Sequence, residues 1–137
     1  MIQITEHFRL SEFLASQTAS EKKIKNSISL AELQNIYALC VNILEPLRKK
    51  VGPVWITSGY RSKELNAAVG GVANSQHCEG KAADIGCSTR DIANKYFAIL
   101  KQLDYDQLIW EETKSKIWIH VSYNGTMNRH QKFVHIK

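Results

Sequence analysis

The sequence predicts an α+β domain with a largely antiparallel sheet and helices packed on it, and three observations carry that prediction. Helical periods fill the earlier part of the chain, period-two segments come mostly late, and the last three of those follow one another closely. At 137 residues the chain is the size of one domain. A chain of that length buries roughly two thirds of its unfolded surface, so one core spanning residues 1–137 is expected.

The longest helix is read from "SLAELQNIYALCVNILEPLRKKVG", which starts at Ser29. Ser29 and Glu32 fit a capping box, and Leu30, Leu33, Tyr37, Val41, Leu44 and Leu47 recur at three- and four-residue steps as its apolar face. Lys49 and Lys50 favour its C-terminal end, Gly52 stops it, and Pro46 is expected to kink or tighten its last turns. A second helix is expected from about Arg90 to Leu103, with Ser88 and Asp91 at its start. A short one, "SKELNAAVGG", runs out into Gly70 and Gly71. The segments "PVWITSGY", "AADIG", "DQLIWE", "KIWIHVSY" and "KFVHIK" carry β-branched and aromatic residues between turn-forming ones and are read as strands.

Composition narrows the classes of function. Hydrophobic residues at 44% and charged residues at 23% are ordinary for a globular protein, and no apolar run is long enough to span a bilayer. The start, "MIQITEHFRLSEF", lacks the basic leader, apolar stretch and small-residue cleavage site of a signal peptide, so synthesis in a cytoplasm is expected. Three cysteines, Cys40, Cys78 and Cys87, are too few and too odd a set for a disulfide framework; reduced packing residues are expected. The net charge of +5 would suit an anionic partner, but the basic residues lie in short scattered clusters. No recognition-helix pattern or RNA-binding aromatic motif accompanies them, so no nucleic-acid partner is expected. A monomer is expected.

The chemistry-bearing residues gather around "NSQHCEGKAADIG", residues 74 to 86. His77 sits on a glycine-bounded loop and Asp84 at the middle of the strand that follows, so the loop gives reach and the strand rigidity. In "KIWIHVSY" the alternation puts Ile117, Ile119 and Val121 on one face and Trp118, His120 and Ser122 on the other. That second face is either a solvated surface or the floor of a cleft, and Trp118 beside His120 favours the cleft. Two histidines and one carboxylate leave the fourth position of a tetrahedral zinc open to water, the arrangement of a catalytic site. Cys78 and Cys87 are competing ligands, but alternation aims Cys87 away from Asp84, and Cys78 directly follows the histidine it would join.

A base is needed if water is to attack a carbonyl. "DQLIWEE" and "KIWIHVSY" should form a hairpin; with an even number of residues in its loop, Glu111 shares the face of His120 and Glu112 points the other way. A one-residue slip reverses this, and Glu111 is favoured. Arg61, just past the strand in "ITSGYRS", can accept a carboxylate in two parallel hydrogen bonds or stabilise an oxyanion.

Taken together, "SGYRS", "LNAAVGG", "SQHCEGKAADI" and "WIHVSY", in that order, resemble peptidase family M15, the zinc D-Ala-D-Ala carboxypeptidases and phage or bacterial peptidoglycan endopeptidases. "EHFRLSEF" and "LEPLR" extend the likeness over nearly the whole chain. The diagnostic pattern is Ser75, His77, Gly80, Ala82 and Asp84 followed by a strand histidine. The resemblance implies the fold shared by these peptidases and the Hedgehog signalling domain, zinc on His77, Asp84 and His120, and a peptidoglycan stem peptide as substrate. It puts Arg61 on the substrate or the tetrahedral intermediate, with Ser75 and Trp118 also on the substrate side. Relatives often carry the catalytic acid or base three residues before the last zinc histidine. Here that position is Ile117, so either Glu111 serves instead or the chain is a zinc-stabilised wall- or protein-binding module. A small domain of this kind without a leader fits a phage lysin that reaches the wall through a separate pore.

Overall fold

The computed structural model describes residues 2–137. Two short helices, α1 (Leu10–Leu14) and α2 (Gln17–Lys22), precede α3 (Leu30–Leu39), a π-helical turn (Cys40–Leu44) and α4 (Glu45–Val51). The expected long helix is thus one rod with a widened turn in it. Ser29 and Glu32 do form the capping box: the Ser29 N–H donates to Glu32 Oε1 at 3.0 Å and the Glu32 N–H to Ser29 Oγ at 3.5 Å.

Pro46 accounts for the widening. It has no N–H to offer Asn42, and its ring would crowd that carbonyl in a regular turn, so the preceding turn opens into a π-helix rather than tightening. The buried stripe also differs from the expected one. Ile36, Leu39, Cys40, Ile43, Leu44 and Leu47 face the core, whereas Leu30, Tyr37 and Val41 are exposed. Two overlapping apolar stripes exist on this helix, and packing against Phe8, Phe13 and the sheet selects between them.

The five expected strands are β1 (Trp55–Ser58), β2 (Ala82–Cys87), β3 (Gln107–Glu112), β4 (Ile117–Ser122) and β5 (Gln131–Ile136). They form one sheet in the order β1-β2-β4-β3-β5. Between β1 and β2 lies α5 (Lys63–Ala68), capped by the Ser62 hydroxyl, and between β2 and β3 lies α6 (Arg90–Leu100), capped by Thr89.

Three pairings are antiparallel; β3 and β5 run parallel. The chain leaves β4 at the end of the sheet where β3 begins and rounds that end before entering β5, so β5 must follow the direction of β3. The buried Asp106 carboxylate holds this return. Its Oδ1 accepts from the Arg129 N–H at 2.8 Å and from Arg129 Nε at 2.9 Å, and its backbone oxygen accepts from the Gln131 N–H at 2.9 Å.

Alternation along the strands divides the sheet into two faces. Ile56, Ala83, Ile85, Leu108, Trp110, Ile119 and Val121 pack against the helices as the core. Asp84, His120, Ile109, Glu111 and Trp118 occupy the other face, where residues 59–81 bring His77 against the sheet. Among the described residues no helix is long and apolar enough to cross a membrane.

Candidate metal centre

Asp84 and His120 lie directly opposite one another on β2 and β4, so the sheet itself sets their separation. Asp84 Oδ1 is 3.0 Å from His120 Nδ1. His77 comes from a single 3-10 turn (Gln76–Glu79), where a glycine-bounded loop was expected. Ser75 caps that turn, its hydroxyl accepting from the His77 N–H at 3.1 Å. Gly80 ends it at φ 74°, pressed so close to the Glu32 carbonyl that an added Cβ would lie 2.5 Å from that oxygen. Glycine is required there for both its conformation and its lack of a side chain.

The ring of His77 is 2% exposed, and Nδ1 lies 2.6 Å from the carbonyl oxygen of Gly59. A carbonyl only accepts, so Nδ1 carries the proton and Nε2 presents a lone pair. Nε2 points at Asp84 Oδ1, 3.3 Å away, and has no hydrogen-bond partner although it is buried. Such an orphaned acceptor is costly unless something binds it.

One ligand atom from each of His77, Asp84 and His120 lies within 4.8 Å of the other two. Zinc bonds of about 2.0–2.1 Å at tetrahedral angles need ligand atoms roughly 3.3 Å apart, so the separations of 3.0 and 3.3 Å fit. Burial on its own would raise the Asp84 pKa. The two imidazoles that face it, His77 and His120, outweigh that effect and hold the carboxyl below the usual carboxylate range. The donor set is therefore an anionic carboxylate, one imidazole of fixed tautomer and one strand-borne imidazole.

The competing cysteines are absent from this group. Cys87 lies on the core face, where burial pushes its thiol up to about 11, and burial raises Cys78 as well. All three cysteines are free.

Four residues separate Glu112 from Ile117, and Glu111 pairs with Trp118, so Glu111 shares the face of His120. Its Oε1 is 2.9 Å from His135 Nδ1, which turns the carboxylate toward β5 and away from β4. Glu112 faces the helices and accepts from Arg90 Nη2 at 2.6 Å and Trp110 Nε1 at 3.1 Å. Ile117 pairs with Glu112 and Cys87 and packs on the core. Position 117 thus looks away from the ligands, and a carboxylate on the His120 face has to come from elsewhere.

Arg61 stands next to the centre through its backbone, its N–H donating to the His77 carbonyl at 3.1 Å. Its Nη1 donates to Asn66 Oδ1 at 3.0 Å, while Nε is buried without a partner. Together with Ser16, Thr18, Ser58 and Tyr60 it lines a hollow of about 330 Å³. A larger groove of about 1130 Å³ carries Asp84, Gly86, Trp55 and Trp118 on its wall.

Two contributions to the centre were not foreseen from the sequence. The Gly59 carbonyl is a backbone group, to which residue type gives no pointer. The turn of His77 is also anchored at long range, by Gln76 Nε2 donating to Asp106 Oδ2 at 2.8 Å. The one local signal was glycine itself: a Cβ on Gly59 would lie 2.7 Å from the Phe13 Cα, marking a close approach of two backbones.

Residues 6–122 match the family model described as Peptidase M15. Over 49 residues the chain is 39% identical to the zinc D-Ala-D-Ala carboxypeptidase of Streptomyces albus G, a stretch that covers 34% of this chain and 19% of that relative. The matched stretch therefore spans less than a fifth of that relative's length.

Proposed function

The chain belongs to the peptidase M15 family, and from that premise we propose that it is a zinc peptidase hydrolysing D-amino-acid-containing stem peptides of bacterial peptidoglycan, as a D,D-carboxypeptidase or an endopeptidase. The observation that carries this reading is the buried, unpartnered Nε2 of His77 facing Asp84 beside His120. His77, Asp84 and His120 would hold the metal. The chemistry supplied by zinc there is Lewis acidity, which polarises a carbonyl and brings the pKa of water to about 7.

The remaining work falls to the chain's own groups. Glu111 is the proposed base, taking the proton of the attacking water and passing it to the leaving amine. It stands on the face of His120, one strand over and one row along, and its side chain has to leave His135 and swing toward β4 to act. Arg61 receives the stem's carboxylate or the developing oxyanion, and its unpartnered Nε gives it a free donor for that purpose. Trp118 walls the groove that leads to the ligands, and Ser75 supports His77 from beneath.

The contact of Glu111 with His135 is also what favours a second reading, a zinc-stabilised module that binds the wall without cutting it. Digestion of purified peptidoglycan with and without a chelator, with the new termini identified by mass spectrometry, separates the two. New amino and carboxyl termini that vanish with the chelator are expected; wall binding with no new termini would establish the second reading.

A further inference from the structure

Next to the row of ligands the sheet carries a second row on the same face. Trp55 pairs with Gly86, Gly86 with Trp118, and Trp118 with Glu111, one residue from each of β1, β2, β4 and β3. Alternation keeps this row on the side of Asp84 and His120, two residues from them along β2 and β4. Trp55 is 74% exposed, the most exposed large apolar side chain among the described residues. Gly86 leaves the space between the two tryptophans bare, and the Trp55 indole leans over it. A Cβ at Gly86 would lie 3.6 Å from Trp55 Cε3 and 2.9 Å from Thr57 Cγ2.

The two indoles therefore make one aromatic shelf, their Cα atoms about 10 Å apart across two strand spacings. The same groove reaches Asp84 at one end and is rimmed by Ser88, Thr113, Lys114 and Lys116. Glu112, the one other carboxylate on its wall, is held by Arg90.

We propose that Trp55 and Trp118 form a subsite for a pyranose ring of the amino-sugar glycan from which the stem peptide hangs, a reading that rests on the peptidase function proposed above. An indole face is flat, apolar and electron-rich, and one side of a pyranose presents a patch of weakly positive C–H groups that lies flat upon it. The hydroxyl and amide groups around that ring then point outward, where the rim offers hydroxyls and ammonium groups. A shelf that is open, flat and poor in free carboxylates suits a hydroxyl-rich ring better than an extended apolar side chain. Its position one row from the ligands places the sugar beside the peptide to be cut, so the enzyme selects stem peptides still attached to glycan.

The test compares kcat/KM for a disaccharide-linked stem peptide with that for the same peptide without sugar, using zinc-loaded protein. The wild type should favour the sugar-bearing substrate by about tenfold, Trp55→Ala should reduce that ratio to near unity, and Trp55→Phe should restore part of it. A wild-type ratio near unity, or one unchanged in Trp55→Ala, overturns the subsite. Should the wild type cut neither substrate, the peptidase reading fails and the subsite is judged by itself, from tryptophan fluorescence on titration with the β-1,4-linked tetramer of N-acetylglucosamine. Quenching that is lost in Trp55→Ala supports it, and no change in the wild type overturns it. A concentration-dependent dimer abolished by Trp55→Ala also overturns it, by assigning the shelf to a second copy of the chain.

Discussion

The carbonyl oxygen of Gly59 accepts a hydrogen bond from His77 Nδ1 at 2.6 Å, and this one contact decides which nitrogen of the ring faces Asp84. Gly59 can serve because it has no side chain: a Cβ there would meet Phe13 at 2.7 Å from Cα and 2.8 Å from Cβ. Gly59→Ala must push β1 and α1 apart, at a cost of about 1–3 kcal/mol. The carbonyl moves with the backbone, so zinc affinity should fall about 10- to 100-fold, as it does when a group orienting a metal ligand is lost. Thermal melting and competition against a chelating dye measure the two effects. A destabilised variant with undiminished zinc affinity would show that the contact does not orient the ligand.

Because the core lies on the other face of the sheet, the metal-free protein should remain folded. Zinc binds only the native arrangement and therefore adds stability, about 2.7 kcal/mol at a free concentration one hundred times Kd. Chelation should lower Tm and zinc should restore it. In His120→Ala the melt should respond to neither, with hydrolysis abolished. Identical zinc-induced shifts in wild type and His120→Ala would remove His120 from the ligand set.

Glu111 tests the base assignment. Glu111→Ala should retain zinc, read by metal content, while kcat falls about 100- to 10,000-fold. His135 touches the Glu111 carboxylate and stacks on Phe133, so His135→Ala should cost much less, since it releases the carboxylate without removing it. Full turnover in Glu111→Ala would hand the role to another group and leave the Ile117 position unexplained.

Much of this arrangement can be read in the sequence where a residue's own type carries the information. Five strands follow from alternation, and Asp84 and His120 are visible because each breaks an apolar period with a metal-binding group. What escapes has its cause in distant packing. The helices α1 and α2 are too short to show a period and exist because Phe8, Phe13 and Ala19 are buried by other elements. The stripe on α3 and α4 is chosen by its partners, and the parallel β3–β5 pair by the path of the chain around Asp106. Trp55 reads simply as a strand residue until the register sets it across Gly86 from Trp118.

Asp106 should make the fold acid-sensitive in a defined window. Its hydrogen bonds from the Arg129 side chain, opposed by burial but reinforced by the Arg129 backbone and Gln76, lower its pKa to about 2, whereas an unfolded aspartate titrates near 3.9. Between those values the unfolded chain binds the extra proton and the native state does not. Stability from this group is therefore complete above about pH 4 and is lost as pH falls toward 2, on the order of 2 kcal/mol for a shift of nearly two units. Asp106→Asn removes the charge at every pH and leaves Arg129 without its counter-ion. Denaturant unfolding should thus show a wild-type advantage that is constant from pH 5 to 7 and shrinks steadily below about pH 4. Other carboxylates titrate in both proteins and cancel in the difference. An advantage that did not change with pH would mean that Asp106 acts through its shape and hydrogen bonds alone, with no contribution from its charge.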